Sequence, residues 1–280
     1  MTKRVLADHV AAQRLRAIGL GIAVLVLLLP AAFVFFWMAS SSLKRGVDIY
    51  SIPPKWLDFE PTLDNYRVAF ERTPFVKYAA NSLLVGLGSS ALGLLIGLPA
   101  AYAIARYNQR RLALSLLTAR LLPGIAYIVP FFLLFTQLRM NGTYPALILA
   151  HLVVTLPLTV YIMINFFEGL PPELYDAAQI DGASRIQTFL RVALPLTKPG
   201  IATSGVLAFI FSWNDFKMAL VLSGSETRTL PVAVFNFVHE ASLEWGPMMA
   251  YATIISIPVL ALTVFVQKHI VTGMTMGSVK

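Results

Sequence analysis

The 280-residue chain contains no cysteine, which excludes disulfides, thiolate-held metals and cysteine nucleophiles. Charge is also scarce: 13% of residues are charged, 57% are hydrophobic, and the mean hydropathy is +0.71. A soluble globular domain carries roughly 25% charged residues, so this composition excludes one. No GxxxxGK[ST] stretch occurs, and the chain therefore has no phosphate-cradling loop of its own for ATP. HExxH and GxSxG are likewise missing, and His9, His151, His239 and His269 are too scattered to suggest a metal site or a pair of haem ligands. Serines without a positioned base do not make a nucleophile. An intramembrane enzyme is thus disfavoured, and no metal and no bound cofactor are expected of this chain.

What the chain does have is long apolar runs. A bilayer-spanning helix needs roughly 20 mostly apolar residues, and the segments 17–39, 78–105, 112–138, 144–167, 199–223 and 247–267 qualify. The first is too long for the apolar core of a signal peptide, and no small-residue cleavage site follows it, so it is kept as a span. The reading is an all-α membrane protein with six transmembrane helices. The formal charge of +8 does not point to nucleic acid, because the basic residues are spread along loops and not gathered on one face.

Basic residues set the expected topology. Lys3, Arg4, Arg14 and Arg16 precede the first span, and Arg106, Arg110 and Arg111 follow the second, so both flanks read as cytoplasmic. The loop around Asn141-Gly142 has Arg139 alone and reads as external. Against this, the loop after the first span carries Lys44, Arg45, Lys55, Arg67, Arg72 and Lys77. An even number of spans puts both termini on one side, taken as the cytoplasm. The expected order is a cytoplasmic segment (1–16), a first span (17–39), an external loop (40–77), a five-span core (78–270) containing a cytoplasmic loop (171–199), and a cytoplasmic tail (271–280).

Within the spans, Ser89, Gly93, Gly97, Ala101 and Ala105 form a ladder of small residues four apart, which places them on one helical face and predicts close helix packing. Pro99, Pro123, Pro130 and Pro157 lie in or near spans and predict kinks. Arg120 reads as snorkelling to the interface, with gating as the alternative. Asn214, Asp215 and Lys217 fall about two-thirds of the way along the fifth span, where ionisable groups are functional candidates. Residues two apart on a helix do not face each other, so Asp215 and Lys217 are not expected to pair directly. Two readings stay open: one group faces a wet cavity while the other finds a partner elsewhere, or both are structural.

The stretch PPELYDAAQIDGASRIQTFLRVALPLTKP, residues 171–199, is different from its apolar flanks. Pro172 suits a first helical position, Glu173 and Asp176 suit the first turn, and the helix should run to Ile180. Asp181-Gly182 should stop it, because Gly takes the left-handed conformation cheaply. Ser184 with Gln187 forms a capping box that starts a second helix, expected not to outlast Pro195.

That loop resembles the EAA loop of binding-protein-dependent ABC importer permeases: EAA, three residues, Gly, nine residues, then I-x-L-P. Here Asp176-Ala177-Ala178 is followed by three residues, Gly182, nine residues, and Val192-Ala193-Leu194-Pro195. Asp stands for Glu and Val for Ile, and the spacing is kept. Asn65-Tyr66, Asn81-Ser82, Trp213-Asn214-Asp215 and the terminal GMTMGSVK are similar to the six-span partner of the maltose-type carbohydrate permeases. The resemblance implies a type I ABC importer permease fold, N-in and C-in, in a bacterial inner membrane. It implies a second, different permease, two cytosolic ATPase subunits that hold ATP and Mg, an external solute-binding protein, and a carbohydrate-like solute. It also implies that Glu173, Leu174, Asp176, Ala177, Ala178, Ile180, Asp181, Gly182, Leu194 and Pro195 couple to the ATPase, that the tail from Gly273 to Lys280 reaches it, and that the loop after the fifth span reaches the binding protein. Asn214, Asp215 and Lys217 are candidates for the solute path. The alternative is an ion-coupled secondary transporter in which Asp215 carries protons or helps bind sodium.

Overall fold

The computed structural model describes residues 2–120, 123–239 and 242–275. The side chain of Arg120, Lys268 and His269, and the end of the tail, 276–280, lie outside the described parts. The architecture is almost wholly helical. The exception among the described residues is a pair of two-residue strands, β1 (Val238–His239) and β2 (Ser242–Leu243), with Val238 opposite Leu243.

Among the described residues four helices are long and apolar enough to cross a membrane: α1 (Thr2–Ser42), through its Arg16–Ser42 part; α2 (Phe75–Arg106); α3 (Tyr144–Glu168); and a last helix (Trp245–Thr275), through Trp245–Val264. A fifth arises if Arg185–Leu196 and Lys198–Trp213, bent by 78° at their junction, are counted together. The expected span at 112–138 is interrupted: an α-helix at Arg110–Arg120, a 3-10 turn at Gly124–Tyr127 and an α-helix at Ile128–Gln137. Pro123, with φ −55° and ψ 130°, stands at the start of the 3-10 turn, where its missing N–H and extended backbone prevent a continuous ladder. The expected span at 199–223 also breaks, into Lys198–Trp213 and Lys217–Leu222. Among the described residues the structure therefore has four continuous candidate spans, or five when the bent pair is counted as one.

The chain forms two compact units, Met1–Arg72 with Phe237–Ile254 and Thr73–Asn236 with Ile255–Lys280. In the first unit no residue of the apolar window of α1 is buried, so this stretch of the helix is exposed all round, while its last residues, Ser40 to Ser42, are buried. The chain after it folds back on its end. Trp56 packs edge-on against Trp37 at 5.3 Å, and the Lys44 ammonium lies over the Trp37 and Phe59 rings at 4.3 and 5.1 Å. Burial pushes the Lys44 amine below its usual range, against the opposing pull of Asp48. Asn65 donates from its amide to the carbonyls of Ser42 and Lys44, at 2.9 and 2.7 Å.

In the second unit the small-residue ladder does what its spacing predicts. Ser89, Gly93, Gly97 and Ala101 are buried on α2, where it meets α3. A Cβ added at Gly97 would stand 2.9 Å from Thr159 Cγ2, and one at Gly93 would stand 3.3 Å from Thr155 Oγ1. Only residues without a large side chain allow the two backbones this close. Lys198–Trp213, named α4 from here, packs on both helices; Phe209 on it fills the space beside Gly86. At one end, Asn81 donates to the carbonyls of Glu226 and Arg228 at 2.8 and 2.9 Å and accepts from Tyr144 Oη at 2.8 Å. Ser82 Oγ accepts from the Leu230 N–H at 2.8 Å, so the loop that follows residue 222 is pinned through its backbone.

Candidate functional site

Two polar interruptions of the helical core are candidates. The first is the loop 171–199. Its leading helix runs Pro172–Ile180 with Pro at its first position, as its sequence predicts. It ends in a Schellman arrangement: the Gly182 N–H donates to Gln179 O at 3.0 Å and the Ala183 N–H to Ala178 O at 2.9 Å, with Gly182 at φ +79°. Ser184 and Gln187 make the reciprocal capping box, with the Ser184 N–H donating to Gln187 Oε1 at 2.8 Å and the Gln187 N–H to Ser184 Oγ at 3.3 Å.

The second helix departs from expectation. It continues through Pro195 to Leu196, because residues 189–193 take a π-helical turn in which the Leu194 N–H reaches back to Phe189 O. Widening the turn accommodates a proline that lacks the N–H needed for the regular ladder. The chain then bends at Thr197, whose Oγ1 donates to Ala193 O at 2.9 Å.

An aromatic cluster docks this loop on the helices beneath it. Tyr102 of α2 contacts Phe167 of α3 edge-on at 5.6 Å, and Phe189 and Tyr175 of the loop at 4.9 and 6.0 Å. Such pairs contribute about 0.5–1.5 kcal/mol each beyond their burial. Tyr175 is buried, and its hydroxyl donates to Phe167 O at 3.4 Å; burial pushes its phenol above the usual range, opposed in part by Arg106. The Arg106 guanidinium lies over the Tyr175 ring at 5.0 Å and 3.7 Å from Asp176 Oδ1. Asp176 is mostly exposed, so that pair contributes about 0–1 kcal/mol.

The ten loop residues named from the sequence divide by direction. Glu173, Leu174, Asp176, Ala177, Ile180, Asp181, Gly182 and Pro195 are exposed, with Ile180 at 86%. Ala178 is buried and Leu194 half-buried; Leu194 packs against the core that contains Tyr175, Ala193 and Phe167. Ala178 thus keeps the first helix close to the bundle and presents no surface outward. Ile186 and Leu190, not singled out in the sequence, are exposed and extend the apolar surface around the turn.

The second interruption holds Asn214, Asp215 and Lys217. The helix α4 ends at Trp213, about 24 Å from its start at 1.5 Å per residue, and Lys217 begins the next short helix, Lys217–Leu222. Asp215 Oδ1 accepts from the Met218 N–H at 2.9 Å, a local side-chain bond that competes with continuous helix. The same oxygen lies 3.7 Å from Nε2 of His151 on α3, and His151 Nδ1 shares a 2.6 Å hydrogen bond with Ser212 Oγ. His151 is fully enclosed, at 2% exposure. Among the described residues Asp215 and Lys217 do not pair, as their spacing predicts. Asn214 is exposed, and its amide donates to Ile210 O at 2.9 Å. Lys217 is exposed and turns towards the other broken stretch, so that a Cβ on Gly124 would stand 2.6 Å from its Nζ. His151 and Ser212 are the site residues missed in the sequence; a lone histidine inside an apolar run was the available signal, and only the fold supplies its partner.

Comparison with known proteins places this geometry. Residues 91–276 match the family model described as binding-protein-dependent transport system inner membrane component. The chain is 38% identical over 263 residues to the sulfoquinovosyl glycerol transport system permease protein SmoH of Agrobacterium fabrum, covering 92% of each chain. It is 33% identical over 274 residues to the trehalose/maltose transport system permease protein MalG of Thermococcus litoralis, covering 95% of this chain and 98% of that one. Its fold is similar to a chain in the crystal structure of a bacterial ABC transporter involved in the import of the acidic polysaccharide alginate, with a TM-score of 0.73 and 22% identity, over 92% of this chain and 97% of that chain. With an all-helical membrane fold, no nucleotide loop of its own and this relationship over nearly its whole length, the chain belongs to the binding-protein-dependent transport system inner membrane components: it is a multi-pass inner-membrane permease of an ABC importer, in which partner subunits hydrolyse ATP.

Proposed function

We propose that this permease imports a carbohydrate-like solute and forms the path together with a second, different permease. Two cytosolic ATPase subunits, holding ATP and Mg, drive it, and an external solute-binding protein delivers the solute. Support for the solute class comes from relatives named for sulfoquinovosyl glycerol, trehalose, trehalose/maltose and diacetylchitobiose transport. In this reading the chain crosses the membrane six times with both termini in the cytoplasm, the interrupted stretches at 110–137 and 198–222 each counting as one crossing. Interrupted helices are compatible with that count because non-helical backbone at membrane depth is tolerated where it lines a cavity or is buried in protein.

The loop 171–199 is the ATPase-docking element. The observation that carries this is the outward apolar surface at Leu174, Ile180 and Ile186 around the Gly182 turn, on a loop held rigidly by its caps and by Tyr175. Exposed aliphatic side chains on a preorganised turn fit a groove on a protein partner at little ordering cost. The remaining named residues act as follows: Glu173, Asp176 and Asp181 supply the polar rim, Ala177 allows close approach, and Ala178, Leu194 and Pro195 hold the shape.

The test is to purify the chain with its neighbours and to measure uptake while ATP is depleted or the ion gradient is collapsed. Copurification of an ATPase and loss of uptake with ATP alone are expected. Uptake that follows only the gradient would favour ion coupling through Asp215.

A further inference from the structure

We propose that Lys217 binds an anionic group of the transported carbohydrate, so that the solute carries a carboxylate, phosphate or sulfonate; this rests on the carbohydrate reading above. The juxtaposition that carries it is of two helix interruptions. The break at 214–216 and the 3-10 turn at Gly124–Tyr127 meet where the Lys217 ammonium lies over Gly124, with Tyr127 Oη 3.4 Å from the same added Cβ position.

A cation within a membrane-spanning stretch needs an anion, water or a path to the interface. Lys217 has no ion pair or hydrogen bond with any described residue. The nearest acid in sequence, Asp215, accepts from the Met218 N–H and lies 3.7 Å from His151 Nε2, and it makes no ion pair with Lys217. The ammonium does not extend towards the flank of its own short helix but across to the other broken stretch, which is where backbone that is not regular helix can border a wet cavity. Neutral sugars are held by hydroxyl and amide groups that both donate and accept. An ammonium only donates and carries a full charge, which suits an oxyanion. Asn214, exposed beside the break, adds a carbonyl oxygen and the second N–H of its amide for a neighbouring hydroxyl, the first N–H being committed to Ile210 O.

The competing occupant is a carboxylate of the second permease. The complete transporter, reconstituted with its ATPases and binding protein in proteoliposomes, is assayed for ATP-dependent import of glucose, trehalose, glucuronate, glucose 6-phosphate and a 6-sulfonated glucose. Import of at least one charged sugar over both neutral ones is expected, and which charged sugar enters identifies the anion. Lys217→Gln should then reduce that import about tenfold or more, mainly through KM, with Lys217→Arg restoring most of it and the subunits still copurifying. Import of neutral and charged sugars alike, or unchanged charged-sugar import by Lys217→Gln, overturns the proposal. Loss of the second permease from Lys217→Gln overturns it in favour of an intersubunit ion pair. Absence of import for all five sugars alongside ATP-driven import of amino acids overturns the carbohydrate reading itself, and is distinguished from the other failures by the lack of any sugar signal.

Discussion

The turn at Asp181-Gly182 and the break at Asn214–Phe216 both interrupt a helix, and they resolve the unpaired backbone in opposite ways. At the turn, every device is local: a left-handed glycine, two carbonyls recovered by the Schellman bonds, and a capping box four residues wide. What is left facing outward is an aliphatic surface, Ile180 and Ile186, rimmed by polar side chains such as Asp181. At the break, the backbone is held by one carboxylate whose second partner, His151, comes from 64 positions away on α3. What is left facing outward is a charge. A self-sufficient interruption can serve as a rigid docking surface, whereas one that leans on another helix ties its geometry to how the helices pack.

Substitutions should separate these two modes. The largest effect is expected for Gly182→Leu. At φ +79° a side chain costs about 1–2 kcal/mol in backbone strain, and no neighbouring atom lies within 4 Å of the new Cβ, so the damage is to the turn and not to packing. Uptake and ATPase copurification should both vanish while membrane insertion persists; normal uptake would remove the coupling role. Next is Asp215→Ala, which discards a capping bond worth about 0.5–2 kcal/mol and removes the carboxylate that stands 3.7 Å from His151 Nε2. Its thermal unfolding in detergent should fall by several degrees, with Asp215→Asn intermediate because the amide oxygen still accepts from Met218; equal stability of the two variants would show that the cap is the smaller part.

A smaller contrast lies within one motif. Ala178→Leu overpacks a buried position and should destabilise by about 1–3 kcal/mol, whereas Ala177→Leu is exposed and should leave stability within about 0.5 kcal/mol while weakening ATPase binding. Melting temperature and copurified ATPase, measured on both, read the difference. Ser184→Ala is the mildest: it loses one half of the capping box, about 1 kcal/mol, and should raise amide exchange at Gln187 without abolishing uptake.

This contrast also explains what could be read in advance. The loop was legible because proline, glycine, serine and glutamine act over three or four residues. The α2 face was legible because a four-residue period needs no knowledge of the partner helix. Pro195 misled, since a π-helical turn upstream absorbs a proline that a regular ladder would reject. Pro123 marked a bend that the structure widens into a full break, whereas the interruption at Asp215 was hidden inside a run whose average hydropathy is that of a continuous span, and an average carries no information about where the backbone bends. His151 became intelligible only when α3 and α4 were brought together.

Asn65 and Asn81 share one more lesson. Each amide grips two carbonyls two residues apart, those of Ser42 and Lys44 in one case and of Glu226 and Arg228 in the other. Carbonyls are common to all twenty residue types, so the grip is indifferent to the letters it holds. Glu226 and Arg228 can be exchanged during divergence while the route of their strand of chain stays put. A permease built this way can change the side chains of such a loop without rebuilding the helices from which it is gripped.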